Sequence, residues 1–262
     1  MVGNYSFFTM LATRVIPCLL LQNGTLVKTI RFSEPSYIGD PTNAIRIYNE
    51  KNVDELVVLD ITATPSAKAP PFAVIEMFAS ECFMPVAYGG GLSRMADLKQ
   101  IFRLGIEKVI INSAAVDCPD FISNASDQFG NQAIVVSIDA KRKVAGGWDV
   151  FTHGGRRNTG LSPQECAVQA QSRGAGEILL TSIDQDGTMA GYDLELIREV
   201  TTAVDVPVIA CGGAGKVSDF GLAVHEAGAS AVAAGSMVVY FGRNRAVLIS
   251  FPSPRELSRV FQ

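Results

Sequence analysis

Glycine pairs and small polar residues recur in this chain at a fixed interval, a combination suited to holding phosphate. Gly90 and Gly91 precede Gly212 and Gly213 by 122 positions, and Asn112 and Ser113 precede Gly235 and Ser236 by 123. A residue without Cβ lets backbone N–H groups come close to an anion. Tight turns that merely need glycine are the alternative, but two sets at matched spacing favour a ligand with a phosphate at each end. Four aspartates end or follow apolar runs: Asp60, Asp139, Asp184 and Asp186. Such carboxylates could serve as general acid or base, hold ligand hydroxyls, or simply cap turns. Thr181 and Gly187 fall in the same stretch as the last two and join the candidate ligand site. Lys28 is expected to reach the site from a mobile loop, with a solvated surface lysine as its alternative.

The elements that must position these groups alternate regularly. Strands are predicted at Val15–Leu21, Glu55–Asp60, Pro85–Tyr88, Lys108–Ile111, Ala133–Ile138, Glu177–Ser182, Val206–Ala210 and Ser230–Ala234. They are nearly continuous in apolar character, as strands buried on both faces should be. Helices are predicted near 41–52, 71–83, 93–104, 119–129, 162–173, 193–203 and 216–227, several with Pro at the first turn. Eight β-α units imply a parallel sheet closed into a (β/α)8 TIM barrel. An open doubly wound sheet is the alternative.

The glycine interval extends to whole strands. Pro85 and Pro207 are 122 positions apart, as are Glu55 and Glu177, so the barrel reads as two four-strand halves related by a pseudo-twofold axis. Residues 10–262 are expected to form this single domain, and residues 1–9 a short N-terminal extension. At the starts of strands 1, 2, 4 and 6, Arg14, Glu55, Lys108 and Glu177 alternate in sign. From the residues alone they read as stabilising ion pairs closing the barrel floor.

With 48% hydrophobic and 18% charged residues the chain is core-rich, and a net charge of −4 argues against a broad grip on nucleic acid. Five cysteines without a CxxC, and two histidines, argue for a reduced protein without a metal site. Cys18 and Cys211 read as buried packing. No cofactor is expected. The start of the sequence lacks the features of a signal peptide, and no apolar run is long enough to span a membrane, so a cytoplasmic location is expected.

Longer motifs carry a resemblance. They include Ile16-Pro17-Cys18, Leu59-Asp60-Ile61-Thr62-Ala63, Gly89-Gly90-Gly91, Ile138-Asp139-Ala140-Lys141-Arg142, Gly154 to Gly160, Gly176 to Asp184 and Ile209 to Gly215. From about Met10 to Phe241 the chain resembles the cyclase subunit of imidazole glycerol phosphate synthase. That resemblance implies a glutamine amidotransferase of histidine biosynthesis. A glutaminase subunit would dock on the barrel's N-terminal face. Ammonia would pass through the barrel and condense with a bisphosphate ribotide at the top. Two aspartates, on strands 1 and 5, would act as general acid and base, and Arg14, Glu55, Lys108 and Glu177 would form the ammonia gate.

One position departs from that pattern. Asp139 is the strand-5 aspartate, but its expected strand-1 partner is Leu20, which cannot move a proton. The segments around Leu20, together with Glu81 to Pro85, Tyr88 to Gly91 and Arg245 to Pro252, resemble a paralogous branch linked to surface-polysaccharide genes. That second resemblance implies a barrel that passes ammonia to a sugar amidotransferase.

Overall fold

The structure, a computed structural model, describes residues 13–262, so the expected N-terminal extension lies outside the described residues. Eight parallel strands build the centre: β1 (Arg14–Gln22), β2 (Leu56–Asp60), β3 (Val86–Gly89), β4 (Lys108–Ile111), β5 (Ile134–Arg142), β6 (Glu177–Ser182), β7 (Val208–Cys211) and β8 (Ala231–Ala234). Each pairs with the next, and β8 pairs with β1 through Arg14↔Ala231 to Pro17↔Ala234. The sheet is therefore a closed barrel, which excludes the open doubly wound alternative.

Alternation along the strands sorts side chains into two cores. Outward residues such as Val15, Leu19, Leu21, Val58 and Ile138 pack under the helices. Inward, Ile16, Val57, Ala87, Ile110, Val135, Leu179, Ile209 and Ala231 form an apolar layer with one residue from each strand.

The helices α1 (Pro41–Glu50), α2 (Phe72–Ala79), α3 (Met95–Arg103), α4 (Asp120–Phe129), α5 (Pro163–Ser172), α6 (Leu194–Thr201) and α7 (Val217–His225) stand where the sequence predicts them. Asp40 caps α1 by accepting from the Asn43 amide, and Ser162 and Glu165 form a reciprocal capping box on α5. An unpredicted helix, α8 (Pro254–Phe261), packs beside α7 and begins with the same device, Ser253 and Glu256.

Two hairpins rise from the C-terminal end of the barrel. One joins strands Thr25–Ile30 and Ser33–Gly39 to the end of β1, and the other joins Trp148–Thr152 and Arg157–Asn158 to the end of β5. They occupy corresponding places in the two halves, so the repeat extends to them.

Strand register tests the twofold relation directly. Leu20 pairs with Leu59, and Asp139 pairs with Thr181; Leu59 and Thr181 are 122 positions apart. Leu20 is thus the structural counterpart of Asp139, and Cys18 that of Ser137. Asn112 (φ −110°, ψ −84°) and Gly235 (φ −106°, ψ −84°) have the same backbone conformation, each just before a turn of helix that starts with serine.

Candidate functional site: a two-ended cleft above a charged floor

A cleft of about 1120 Å³ opens at the C-terminal ends of the strands. Its first-half wall carries Asp60, Gly90, Gly91, Asn112 and Ser113. Its second-half wall carries Thr181, Asp186, Gly187, Gly212, Gly213, Gly235 and Ser236. Lys28, Leu20 and Asp139 line the same space, so the structure brings the candidate ligand residues into one cavity.

The glycines are required by shape. Gly90 has φ +122° and Gly213 φ +115°, and a Cβ would strike the Asp60 carbonyl at the first and the Gly191 carbonyl at the second. Both are close backbone approaches in a region that L side chains rarely adopt. In the second half the Ser236 hydroxyl is buried and has no hydrogen-bond partner. A buried hydroxyl without a partner is costly, and a ligand oxygen would satisfy it. In the first half, the Ser113 hydroxyl accepts from the His153 amide at 3.1 Å and lies 3.2 Å from Asn112 Oδ1.

Asp139 stands at the centre. It accepts hydrogen bonds of 3.3 Å from Ser137 Oγ and from Asn112 Nδ2. Burial pushes its carboxyl up to about 7, with the Asp186 charge adding and the Ser137 bond opposing. Burial likewise raises Asp186, against the pull of Lys28 and of the Thr29 hydroxyl, which donates to Oδ2 at 2.9 Å.

Three expectations need correction. Lys28 is on the strand Thr25–Ile30, only 6% exposed, not on a mobile loop. Its ammonium donates to the Cys18 carbonyl at 2.5 Å, the hydrogen bond that lets the chain bury it. Asp184 accepts from the Arg142 amide at 2.7 Å and holds a loop rather than facing the cleft. Cys211 is not fully buried packing, because it and Cys18 both line the cleft. Asp60 combines two readings: it lines the cleft while Oδ1 accepts from the Thr62 and Ala63 amides. Sequence reading missed Ser137, although its place two residues before Asp139 puts it on the same inward face.

At the opposite end the four charges close into a ring. Arg14 reaches Glu55 at 2.5 Å and Glu177 at 2.7 Å; Lys108 reaches Glu55 at 3.0 Å and Glu177 at 2.9 Å. Each cation touches both carboxylates, directly beneath the apolar layer.

Residues 14–244 match the family model described as histidine biosynthesis protein. The chain belongs to this histidine biosynthesis family. Within it, the chain is 48% identical over 248 residues to a Pseudomonas aeruginosa protein named "Putative imidazole glycerol phosphate synthase subunit hisF2", covering 95% of this chain and 99% of that one. It is also 48% identical over 233 residues to the imidazole glycerol phosphate synthase subunit HisF of Hyphomonas neptunium, covering 89% of this chain and 92% of the relative. The family match spans the barrel, both glycine sets, Asp139 and the floor ring. Among the described residues no helix is long and apolar enough to cross a membrane.

Proposed function

We propose that this chain is the cyclase subunit of an imidazole glycerol phosphate synthase-type glutamine amidotransferase, a carbon–nitrogen lyase of histidine biosynthesis. The observation that carries the reading is a stack along one axis: a closed charged ring, an apolar layer, and a cleft with two matched clamps around Asp139. The clamps hold the two phosphates of a bisphosphate ribotide and fix its reacting middle over the barrel centre. Ammonia from a glutaminase docked on the N-terminal face enters past Arg14, Glu55, Lys108 and Glu177, crosses the apolar layer and condenses with the ligand. Asp139, with its carboxyl near neutrality, gives and takes the proton of ring closure and cleavage. Imidazole glycerol phosphate and the aminoimidazole carboxamide ribotide leave. The enzyme acts in the cytoplasm.

The test is to supply the bisphosphate ribotide and an ammonium salt to the purified chain and follow imidazole glycerol phosphate. The same assay with a glutaminase and glutamine then reads the partner. Product in the first assay supports the reading, and its absence there overturns it.

Leu20 favours a second reading. At the position related by register to Asp139, the cleft has an isobutyl group instead of an acid. In this reading the barrel still receives ammonia but passes it to a sugar amidotransferase of surface-glycan synthesis. Lack of turnover by the native chain, with turnover gained by Leu20→Asp, supports it; normal native turnover removes it.

A further inference from the structure

A run of hydrogen bonds joins the first-half clamp to Asp139. The His153 amide donates to Ser113 Oγ at 3.1 Å, and the Ser113 hydroxyl donates to Asn112 Oδ1 at 3.2 Å. Asn112 Nδ2 then donates to the Ser137 carbonyl at 3.1 Å and to Asp139 Oδ2 at 3.3 Å. Both polar atoms of the Asn112 side chain are committed, so its amide has one orientation and presents N–H to the carboxyl. In the second half the run is interrupted. Gly235 stands for Asn112, Leu20 stands for Asp139, and the Ser236 hydroxyl has no partner.

We propose that seating an oxyanion of the ligand in the first-half clamp makes Asp139 hold its proton more firmly, with Ser113 and Asn112 relaying the event, and that the second clamp has no such relay. The inference rests on the reading of the clamps as phosphate sites, and not on turnover.

A serine hydroxyl has one proton to donate. An oxyanion beside Ser113 is the stronger acceptor and takes it, so Asn112 Oδ1 loses its donor. The amide is then free to turn, and its bond to Asp139 Oδ2 weakens. A hydrogen bond to the ionised form favours that form, so its loss favours the protonated carboxyl. The negative charge of the oxyanion pushes the same way from either clamp, and the relay adds to it from the first clamp alone. The proton comes from water. Burial already holds the Asp139 carboxyl up to about 7, so a modest further change loads it at neutral pH. The linkage is reciprocal: the first clamp binds its oxyanion more tightly while Asp139 is protonated. Asn112 is a positioning residue in this scheme, and Asp139 gains the proton of an acid once the ligand is anchored beside it.

The other titratable groups that share the cleft with Asp139 are Asp60, Asp186, Lys28, His153 and the thiols of Cys18 and Cys211. The Cys166 thiol stands behind it on α5, pushed up to about 12 by burial. Ser113→Ala and Ser236→Ala both keep all of these groups, so a difference between the two variants belongs to the relay.

Sulfate is the probe, because its charge is fixed across the neutral range whereas phosphate itself titrates there. The Asp139 midpoint is read by carbon-13 NMR of the carboxyl-labelled full-length protein, as the resonance missing from Asp139→Asn. In the native chain sulfate raises that midpoint by roughly one unit, a tenfold gain in proton affinity. Ser236→Ala keeps this shift. Ser113→Ala has a raised midpoint before sulfate is added and gains less than about threefold in proton affinity from it. Ser113→Thr, which keeps the hydroxyl, behaves as the native chain. Should Ser113→Ala not fold, Asn112→Ala takes its place with the same expected result. Equal sulfate shifts in Ser113→Ala and Ser236→Ala overturn the proposal, as does a native midpoint indifferent to bound sulfate. Failure of sulfate to bind, read by calorimetry, overturns it together with the phosphate reading beneath it, so the two failures are told apart.

Discussion

In the first half-barrel, the place beside the clamp is filled by Asn112, whose amide donates to the Ser137 carbonyl at 3.1 Å. In the second half the corresponding residue is Gly235, and the space is filled from another segment by Lys28, which donates to the Cys18 carbonyl. Ser137 and Cys18 correspond, so one backbone oxygen is reached by a neutral amide in one half and by an ammonium in the other. Opposite them stand Asp139 in one half and Leu20 in the other. The backbone keeps its twofold at the edges of the cleft, and the side chains break it at the centre. Such a frame suits a ligand whose ends are alike and whose middle is not.

The largest expected effect breaks this comparison at its centre. Under the proposed reaction, Asp139→Asn lowers turnover by roughly 100- to 10,000-fold, the usual worth of a general acid or base. Steady-state assay of product checks it, and Leu20→Asp changes rate in the opposite direction. Next, the floor ring is compared with itself by Glu55→Gln. Glu55 is 3% exposed and touches both cations, so its loss costs about 3 kcal/mol, read by chemical denaturation.

The pH dependence has a definite sign. Because the folded Asp139 carboxyl titrates near 7, above its ordinary 3.8, the folded state holds the extra proton between those values. Stability from this group is present below about pH 4 and is lost as pH rises through 7. Asp139→Asn therefore stabilises the fold at pH 8 relative to pH 4, by on the order of 4 kcal/mol, measured as denaturation midpoints at both pH values. Gly90→Ala and Gly213→Ala should each cost at least about 2 kcal/mol and weaken phosphate binding alike, since both carry positive φ and a carbonyl in the Cβ position. Unequal losses would show that the clamps differ. The smallest effect is Gly235→Asn, which copies the first half into the second. Its φ is negative, so the backbone is unstrained, but it displaces the buried Lys28 ammonium from the Cys18 carbonyl, so stability falls by about 1–2 kcal/mol while ligand affinity falls.

Strand positions and the matched glycine sets at one cleft were legible because fully buried parallel strands leave continuous apolar runs and because the 122-residue repeat marks corresponding positions. The hairpins at 25–39 and 148–158 were not, since half-exposed ribbons carry polar residues that read as loop. β5 runs to Arg142, past its apolar run, because the hairpin strand Trp148–Thr152 pairs with it. Lys28 reads as a loop residue because nothing in its own segment reveals the Cys18 carbonyl that receives it. The last helix had a readable signal in Ser253 and Glu256, a capping box followed by Leu257, Val260 and Phe261.

The ring at the floor has two positive and two negative members, each joined to both of opposite sign, and its formal charge is zero. Replacing either cation by a neutral residue leaves an anionic collar, and replacing either carboxylate leaves a cationic one. In the proposed reaction an anionic collar would retain ammonium as a trapped counterion, a cationic one would turn it away, and only the balanced ring would be indifferent to charge while admitting the neutral molecule. If ammonia enters there as proposed, these four residues set the polarity of that entrance as well as closing it, and a single substitution chooses which sign of ion it would hold.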